Sequence, residues 1–198
     1  FTYPVPDLPP HPWPMPPACD QFESSKLDLC WNFLRTPRDD FWSLTERPGY
    51  LRLRLRPQKV SEWSNPSFVG RRQQHISFSA RTVMEFTPES PHEVAGLVLL
   101  QNSDFQFRII STLRDDAVPV LCVIRRVQGQ EEVLAETPVS AQRVYLKVEA
   151  VGQEYSFWYA TAAEGWCPLC EKVDGRILST DVAGGFVGAY IGMYASSN

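Results

Sequence analysis

The sequence predicts an all-β protein, an antiparallel β-sandwich of two sheets. Three observations carry that expectation. Short apolar-rich runs recur along the chain with turn signals between them. No long stretch shows helical periodicity. Aromatic residues make up 12% of the 198 residues, with 6 Trp, 7 Tyr and 11 Phe, which suits β-strands and a thick core.

The elements follow in order. Residues 1–17 hold eight prolines: Pro4, Pro6, Pro9, Pro10, Pro12, Pro14, Pro16 and Pro17. Such a run favours extended polyproline II and cannot pair as a central strand. It is expected to be a semi-rigid linker lying along a surface and pinned by Trp13. From Asp20 the pattern turns β. Asp39 to Trp42 reads as a turn leading into a run that ends at Glu46, and Pro48-Gly49 is a turn signal. Tyr50 to Arg56 alternates strictly, with leucines on one side and arginines on the other. The arginine row reads as a solvated outer face, or as a contact for phosphate or carboxylate.

Further strands are predicted over 67–71, 74–86, 93–100, 106–112, 120–127, 132–138, 143–151, 154–160 and 186–194. Asn102-Ser103-Asp104, Gln128-Gly129, Gly152 and Glu164-Gly165 mark turns between them. A short helix is expected near 174–181. Internal repeats of the propeller or solenoid kind are lacking in the sequence. The chain thus divides into a linker, 1–17, and a sandwich domain, 18–198.

Composition limits the function. Hydrophobic residues reach 43%, enough for a core, and no apolar run approaches membrane-spanning length. A net charge of -4 argues against a general nucleic-acid binder. Neither membrane nor nucleic acid is an expected partner. The chain opens at Phe1 without Met or a signal pattern, directly into the proline run, and reads as cut from a longer polypeptide. Its compartment is not legible.

Candidate chemistry is sparse. Cys167-Pro168-Leu169-Cys170 is a CxxC, but Cys19, Cys30 and Cys122 stand alone, and His11, His75 and His92 lack ligand spacing. A zinc site needs about four ligands, and a thioredoxin-like motif needs a helix start. Neither a metal nor a cofactor is expected. There is no GxSxG nucleophile elbow and no phosphate-binding glycine loop. Glycosidases use paired carboxylates. Glu85 and Glu89 are separated by Pro88, Glu149 and Glu154 straddle a turn, and Glu131 and Glu132 point to opposite faces. No catalytic residue is assigned. Arg71, Gln73 and His75 are expected to share one strand face, open to a sugar or a neighbouring domain. Ile76, Phe78 and Ala80 would form the opposite, core face.

The run Gly184-Gly185-Phe186-Val187-Gly188-Ala189-Tyr190-Ile191-Gly192-Met193-Tyr194 is the most informative stretch. Its glycines allow close backbone approach and free turns. They set one aromatic ring at the mouth of a strand.

With that run, the chain resembles the C-terminal domain of glycoside hydrolase family 43 β-xylosidases. The matching pieces lie in order: Pro10-His11-Pro12-Trp13-Pro14, Trp31-Asn32-Phe33-Leu34-Arg35, Arg47-Pro48-Gly49-Tyr50-Leu51-Arg52-Leu53, Val69-Gly70-Arg71-Arg72-Gln73-Gln74-His75, Ala95-Gly96-Leu97-Val98, Trp166 with Pro168-Leu169, and Gly184 to Tyr190. The resemblance implies a concanavalin A-like jelly roll that is not catalytic by itself. It implies an upstream five-bladed β-propeller on the same polypeptide, carrying the catalytic acids. That enzyme would hydrolyse terminal β-xylosyl or α-arabinofuranosyl linkages with inversion, on xylo-oligosaccharide or arabinosyl substrates. The sandwich would pack on the propeller and close its pocket, with Phe186 at the substrate-pocket rim and Arg71, Gln73 and His75 as interdomain or sugar contacts. A homo-oligomer of the full-length enzyme is compatible with it. The resemblance also implies a last strand beyond the end of this chain, whose absence leaves a free sheet edge. The competing reading is an independent carbohydrate-binding module or lectin-like domain, which requires the chain to bind sugar alone.

Overall fold

The computed structural model describes residues 2–14 and 17–197. Pro16 of the predicted linker, and the terminal Phe1 and Asn198, lie outside the described residues. Among those described, the chain forms β1 (Asn32–Phe33), β2 (Trp42–Ser43), β3 (Arg52–Leu53), β4 (Ser67–Arg72), β5 (Phe78–Glu85), β6 (Val94–Asn102), β7 (Phe105–Leu113), β8 (Pro119–Val127), β9 (Gln130–Pro138), β10 (Arg143–Val151), β11 (Glu154–Ala160), β12 (Cys167–Asp174) and β13 (Tyr190–Ser196). A short 3-10 helix (Gly175–Leu178) and α1 (Thr180–Ala183) precede β13, where the sequence predicts helix.

All pairings are antiparallel. A seven-stranded sheet runs β1-β4-β13-β6-β7-β8-β9, a four-stranded sheet runs β12-β11-β10-β5, and β2 pairs with β3. The two larger sheets face each other. Strict alternation builds the contact: in β10, Val144, Leu146, Val148 and Ala150 are buried while the residues between them are half-exposed. From the larger sheet, Leu97, Leu99, Phe107, Ile109, Leu121 and Val123 meet them. Phe107 stands against both Tyr155 and Phe157, with ring centroids 6.2 and 5.5 Å apart, and joins the layers. Each such ring stabilises the fold by roughly 1.5–3 kcal/mol through burial. On the opposite face of the larger sheet, Val60, Phe68, Val98, Leu100 and Tyr194 form a second apolar cluster.

The expected sandwich is present, with four local corrections. Residues 74–77 are not strand; β5 begins at Phe78. Ser77 Oγ accepts a hydrogen bond from the Gly152 amide, so the segment folds against the β10–β11 turn instead of continuing a ladder. Ile76 is therefore 74% exposed and not core. Within Tyr50–Arg56 only Arg52–Leu53 pairs, because its partner β2 is two residues long. The alternation holds as far as Leu55: Leu51, Leu53 and Leu55 are half-buried, and Arg52 and Arg54 are exposed and face Glu46 at 3.5 and 3.4 Å, but Arg56 turns inward to Ser67 Oγ at 3.0 Å and the Asn65 carbonyl at 2.6 Å. β12 is a strand that the sequence pattern hides, and β13 starts at Tyr190, four residues after Phe186.

The proline run, where described, carries no helix or strand. Trp13 does not pin it: the ring is 79% exposed and, among the described residues, its aromatic contact is His11, edge-on at 4.9 Å. The attachment lies further on, where Arg71 donates to the carbonyls of Pro17 and Ala18, each at 3.4 Å.

Candidate functional site

The glycine-rich run divides at the start of β13. Its second half is strand; its first half is a loop standing off one end of the sandwich. α1 ends at Ala183, and Gly184 caps it with its amide bonded to the Thr180 carbonyl. Gly184 and Gly185 both have left-handed backbones, φ 71° and 78°, and a Cβ on either would meet nothing within 4 Å. The chain thus turns sharply in open space, a geometry glycine adopts without strain. Phe186 follows, fully exposed at 105% of its reference area. With Val187 beside it 49% exposed, the ring extends an apolar surface at this end of the sandwich.

The loop is bounded on one side by residues 73–77. The Gln73 amide donates to the Ala189 carbonyl at 2.9 Å, and the far end of the segment meets Gly152 through Ser77. Ile76 and Val151 are 74% and 73% exposed on these flanking turns. On the other side, the end of β6 holds the loop: Gln101 Nε2 donates to the Val187 carbonyl at 2.6 Å, and Asn102 Nδ2 to the Ala183 carbonyl at 3.3 Å.

The three predicted polar contacts do not share a strand face. Arg71 lies in β4, turned to Pro17 and Ala18 with its guanidinium over Trp31 at 5.5 Å. Gln73 lies past the strand end. Its side chain accepts from Tyr155 Oη at 3.2 Å and donates to the His75 carbonyl at 3.0 Å. His75 is exposed in the loop. β4 ends at Arg72 because β13, its partner, begins at Tyr190 opposite it. Sequence reading missed Ile76 as a surface residue and missed Gln101 and Asn102 altogether. Asn102 carried a turn signal; Gln101 carried none.

Four of the six carboxylates considered for acid–base chemistry are held in ion pairs. Glu85 is held by Arg47 and Arg143, with Tyr50 Oη at 3.1 Å. Hydrogen bonds from Arg47 and then Arg143 lower its pKa to about 2. Such a carboxyl is ionised at neutral pH and is unsuited to be a general acid. Glu149 binds Lys147 at 3.1 Å, Glu131 pairs with Arg126 at 3.0 Å, and Glu132 pairs with Arg125 at 2.5 Å. Among the described residues, no three His, Cys, Asp or Glu side chains cluster in a way that would hold a metal ion.

The CxxC is extended. Cys167 pairs with Tyr159 and Cys170 with Phe157 across the β11–β12 ladder. Three strand steps separate their Cα atoms by roughly 8–10 Å, beyond disulfide reach. Burial also pushes the Cys170 thiol up to about 11, leaving little thiolate for redox chemistry.

Comparison with known proteins identifies the family and the fold. The family described as "Beta xylosidase C-terminal Concanavalin A-like domain" matches residues 19–198. The chain is 34% identical over 198 residues to a non-reducing end alpha-L-arabinofuranosidase of Bacteroides ovatus, covering all of this chain and 37% of that protein. It is 34% identical over 177 residues to a xylosidase/arabinosidase of Butyrivibrio fibrisolvens, covering 89% of this chain and 34% of that protein. Among solved structures, "Bacteroides ovatus Xyloglucan PUL GH43B" superposes with a TM-score of 0.91 at 34% identity, over 99% of this chain and 38% of that one. A xylan beta-1,4-xylosidase from Bacillus halodurans superposes with a TM-score of 0.89 at 29% identity, over 97% of this chain and 38% of that one. The chain therefore spans a little over a third of the length of these relatives.

Proposed function

This chain belongs to the β-xylosidase C-terminal concanavalin A-like domain family, and from that premise we propose that it is the non-catalytic sandwich of a two-domain glycoside hydrolase whose active-site pocket it completes. The parent enzyme carries its catalytic acids on an upstream five-bladed β-propeller. It removes terminal xylosyl or arabinofuranosyl groups from oligosaccharides.

Phe186 carries the reading. A fully exposed ring on a double-glycine turn is well shaped to enter a neighbour's cleft. There it narrows the pocket, excludes water and lies against the apolar face of a sugar ring, as aromatic walls do in ligand sites. His75 and the exposed Ile76, on the segment bonded to Ala189, are proposed to meet the propeller beside it. Arg71 and Gln73 contribute indirectly, by fixing the linker junction and the base of the Phe186 loop. Where the family's last strand follows Ser196, the free edge of β5 is the proposed place for it to pair.

The test is Phe186→Ala in the full-length enzyme. On aryl xyloside and arabinofuranoside substrates, kcat/KM is expected to fall roughly two- to tenfold, the worth of about 0.5–1.5 kcal/mol of ring contact. The melting temperature should hardly move. An unchanged kcat/KM ends the pocket role.

A further inference from the structure

We propose that Gln101 and Asn102 are positioning residues that clamp the two ends of the Phe186 turn and so fix where the ring enters the pocket, an inference that rests on the pocket role proposed above. The clamp begins with a defect in a strand. In the β6–β7 ladder, Leu100 pairs with Gln106 and Asn102 with Phe105, so Gln101 is the extra, bulged residue. A bulge re-aims a side chain away from the regular alternation. β13 ends its pairing with β6 at Leu100, so nothing in the ladder lies opposite Gln101 on that side. Its amide is free to reach the loop that leads into β13.

The bonds bracket the turn. Gln101 Nε2 donates to the carbonyl of Val187, just after Phe186, at 2.6 Å. Asn102 Nδ2 donates to the carbonyl of Ala183, just before the two glycines, at 3.3 Å. Asn102 is itself held, since its Oδ1 accepts from the amides of Asp104 and Phe105 at 2.9 and 3.0 Å. Between the brackets Gly184 and Gly185 have only open space around a would-be Cβ. No packing there restrains the ring, so hydrogen bonds at the flanks must do it.

The burial of Gln101 carries a cost. The residue is 4% exposed, and among the described residues its Oε1 has no hydrogen-bond partner. A buried, half-satisfied amide is unfavourable. Rotating the amide would set Oε1 against the Val187 carbonyl, oxygen against oxygen. Leucine would fill the same volume without an orphan acceptor.

Gln101→Leu, Asn102→Asp and Phe186→Ala, singly and in pairs with Phe186→Ala, test this in the full-length enzyme. Asn102→Asp keeps the acceptor that shapes the β6–β7 turn and replaces the donor to Ala183 with a charged oxygen that repels that carbonyl. Each clamp variant should lower kcat/KM two- to tenfold, with the same division between kcat and KM as Phe186→Ala. In the Phe186→Ala background, neither should lower it further. Gln101→Leu should melt within about 3 °C of the parent, because the lost bond is offset by removal of a buried orphan acceptor. If Phe186→Ala lowers activity and neither clamp variant does, the clamp is overturned while the pocket role stands. Equal losses with and without Phe186 also overturn it, since the residues then act by another route. If Phe186→Ala itself has no effect, the pocket reading falls and takes the clamp with it.

Discussion

Two glycine–phenylalanine arrangements in this molecule use the same residue types for opposite ends. In the second apolar cluster, Phe68 is 2% exposed, and a Cβ on Gly70 or Gly192 would come within 2.5 Å of its ring carbons. There glycine makes room, so that a ring lies flat across two paired strands. In the loop before β13, Gly184 and Gly185 have nothing within 4 Å and Phe186 is fully exposed. There glycine supplies a left-handed turn that thrusts a ring outward. Gly192 and Gly185 are seven residues apart in one run, yet one serves packing and the other presentation. Composition is therefore silent about role; what decides it is whether a second strand lies across the backbone.

The largest effect belongs to the packed ring. Phe68→Ala leaves a cavity between Val60, Val98, Leu100 and Tyr194 and should cost about 3–5 kcal/mol. At roughly 2–4 °C per kcal/mol for a domain of this size, melting should drop by about 6–20 °C. A shift as small as that of Phe186→Ala would erase the contrast.

Gly192→Ala comes next. Its new methyl would lie 2.5 Å from the Phe68 ring and 2.7 Å from the Gly70 Cα. A ring tip can rotate away, but the backbone of a paired strand cannot. Overpacking of this kind costs about 1–3 kcal/mol. Gly192→Ala combined with Phe68→Ala should recover part of that loss in thermal melting, because the deleted ring is the nearer obstacle. If the two losses simply add, the ring is not what Gly192 accommodates.

The sequence made the regular parts of this fold legible and left its exceptions obscure. β10 and β11 were predicted with their observed ends, since Val144, Leu146 and Val148 alternate cleanly with polar residues. β12 escaped because it is an edge strand with two register shifts, a residue at φ 55° (Lys172) and no alternation to read. Residues 74–77 were drawn into β5 because Ile76 lies in phase with Phe78, although the bond from Gly152 to Ser77 bends the chain away. The motif singled out Phe186, but its exposure depends on where β13 starts, which is set by pairing with Arg72 and Leu100. Gln101 was invisible for a related reason. A bulge is a property of two strands, and one strand's sequence does not reveal it.

The smallest expected effect on stability is at the open turn, and it probes the comparison most directly. Gly185→Ala places a Cβ where it touches nothing, so no steric loss of the Gly192 kind arises. What remains is the cost of a left-handed backbone for an L-residue, about 1–2 kcal/mol if the turn is kept. The chain has a way to avoid it: Gly184 is tied through its amide to Thr180, but Gly185 and Phe186 lie between that bond and the one at Val187 and can relax toward negative φ. Relaxation would spare stability and move the ring. Gly185→Ala in the full-length enzyme should therefore melt within about 2–4 °C of the parent while losing as much kcat/KM as Phe186→Ala. A melting shift as large as that of Gly192→Ala, with kcat/KM unchanged, would mean that the turn keeps its left-handed backbone and bears the strain instead of moving the ring.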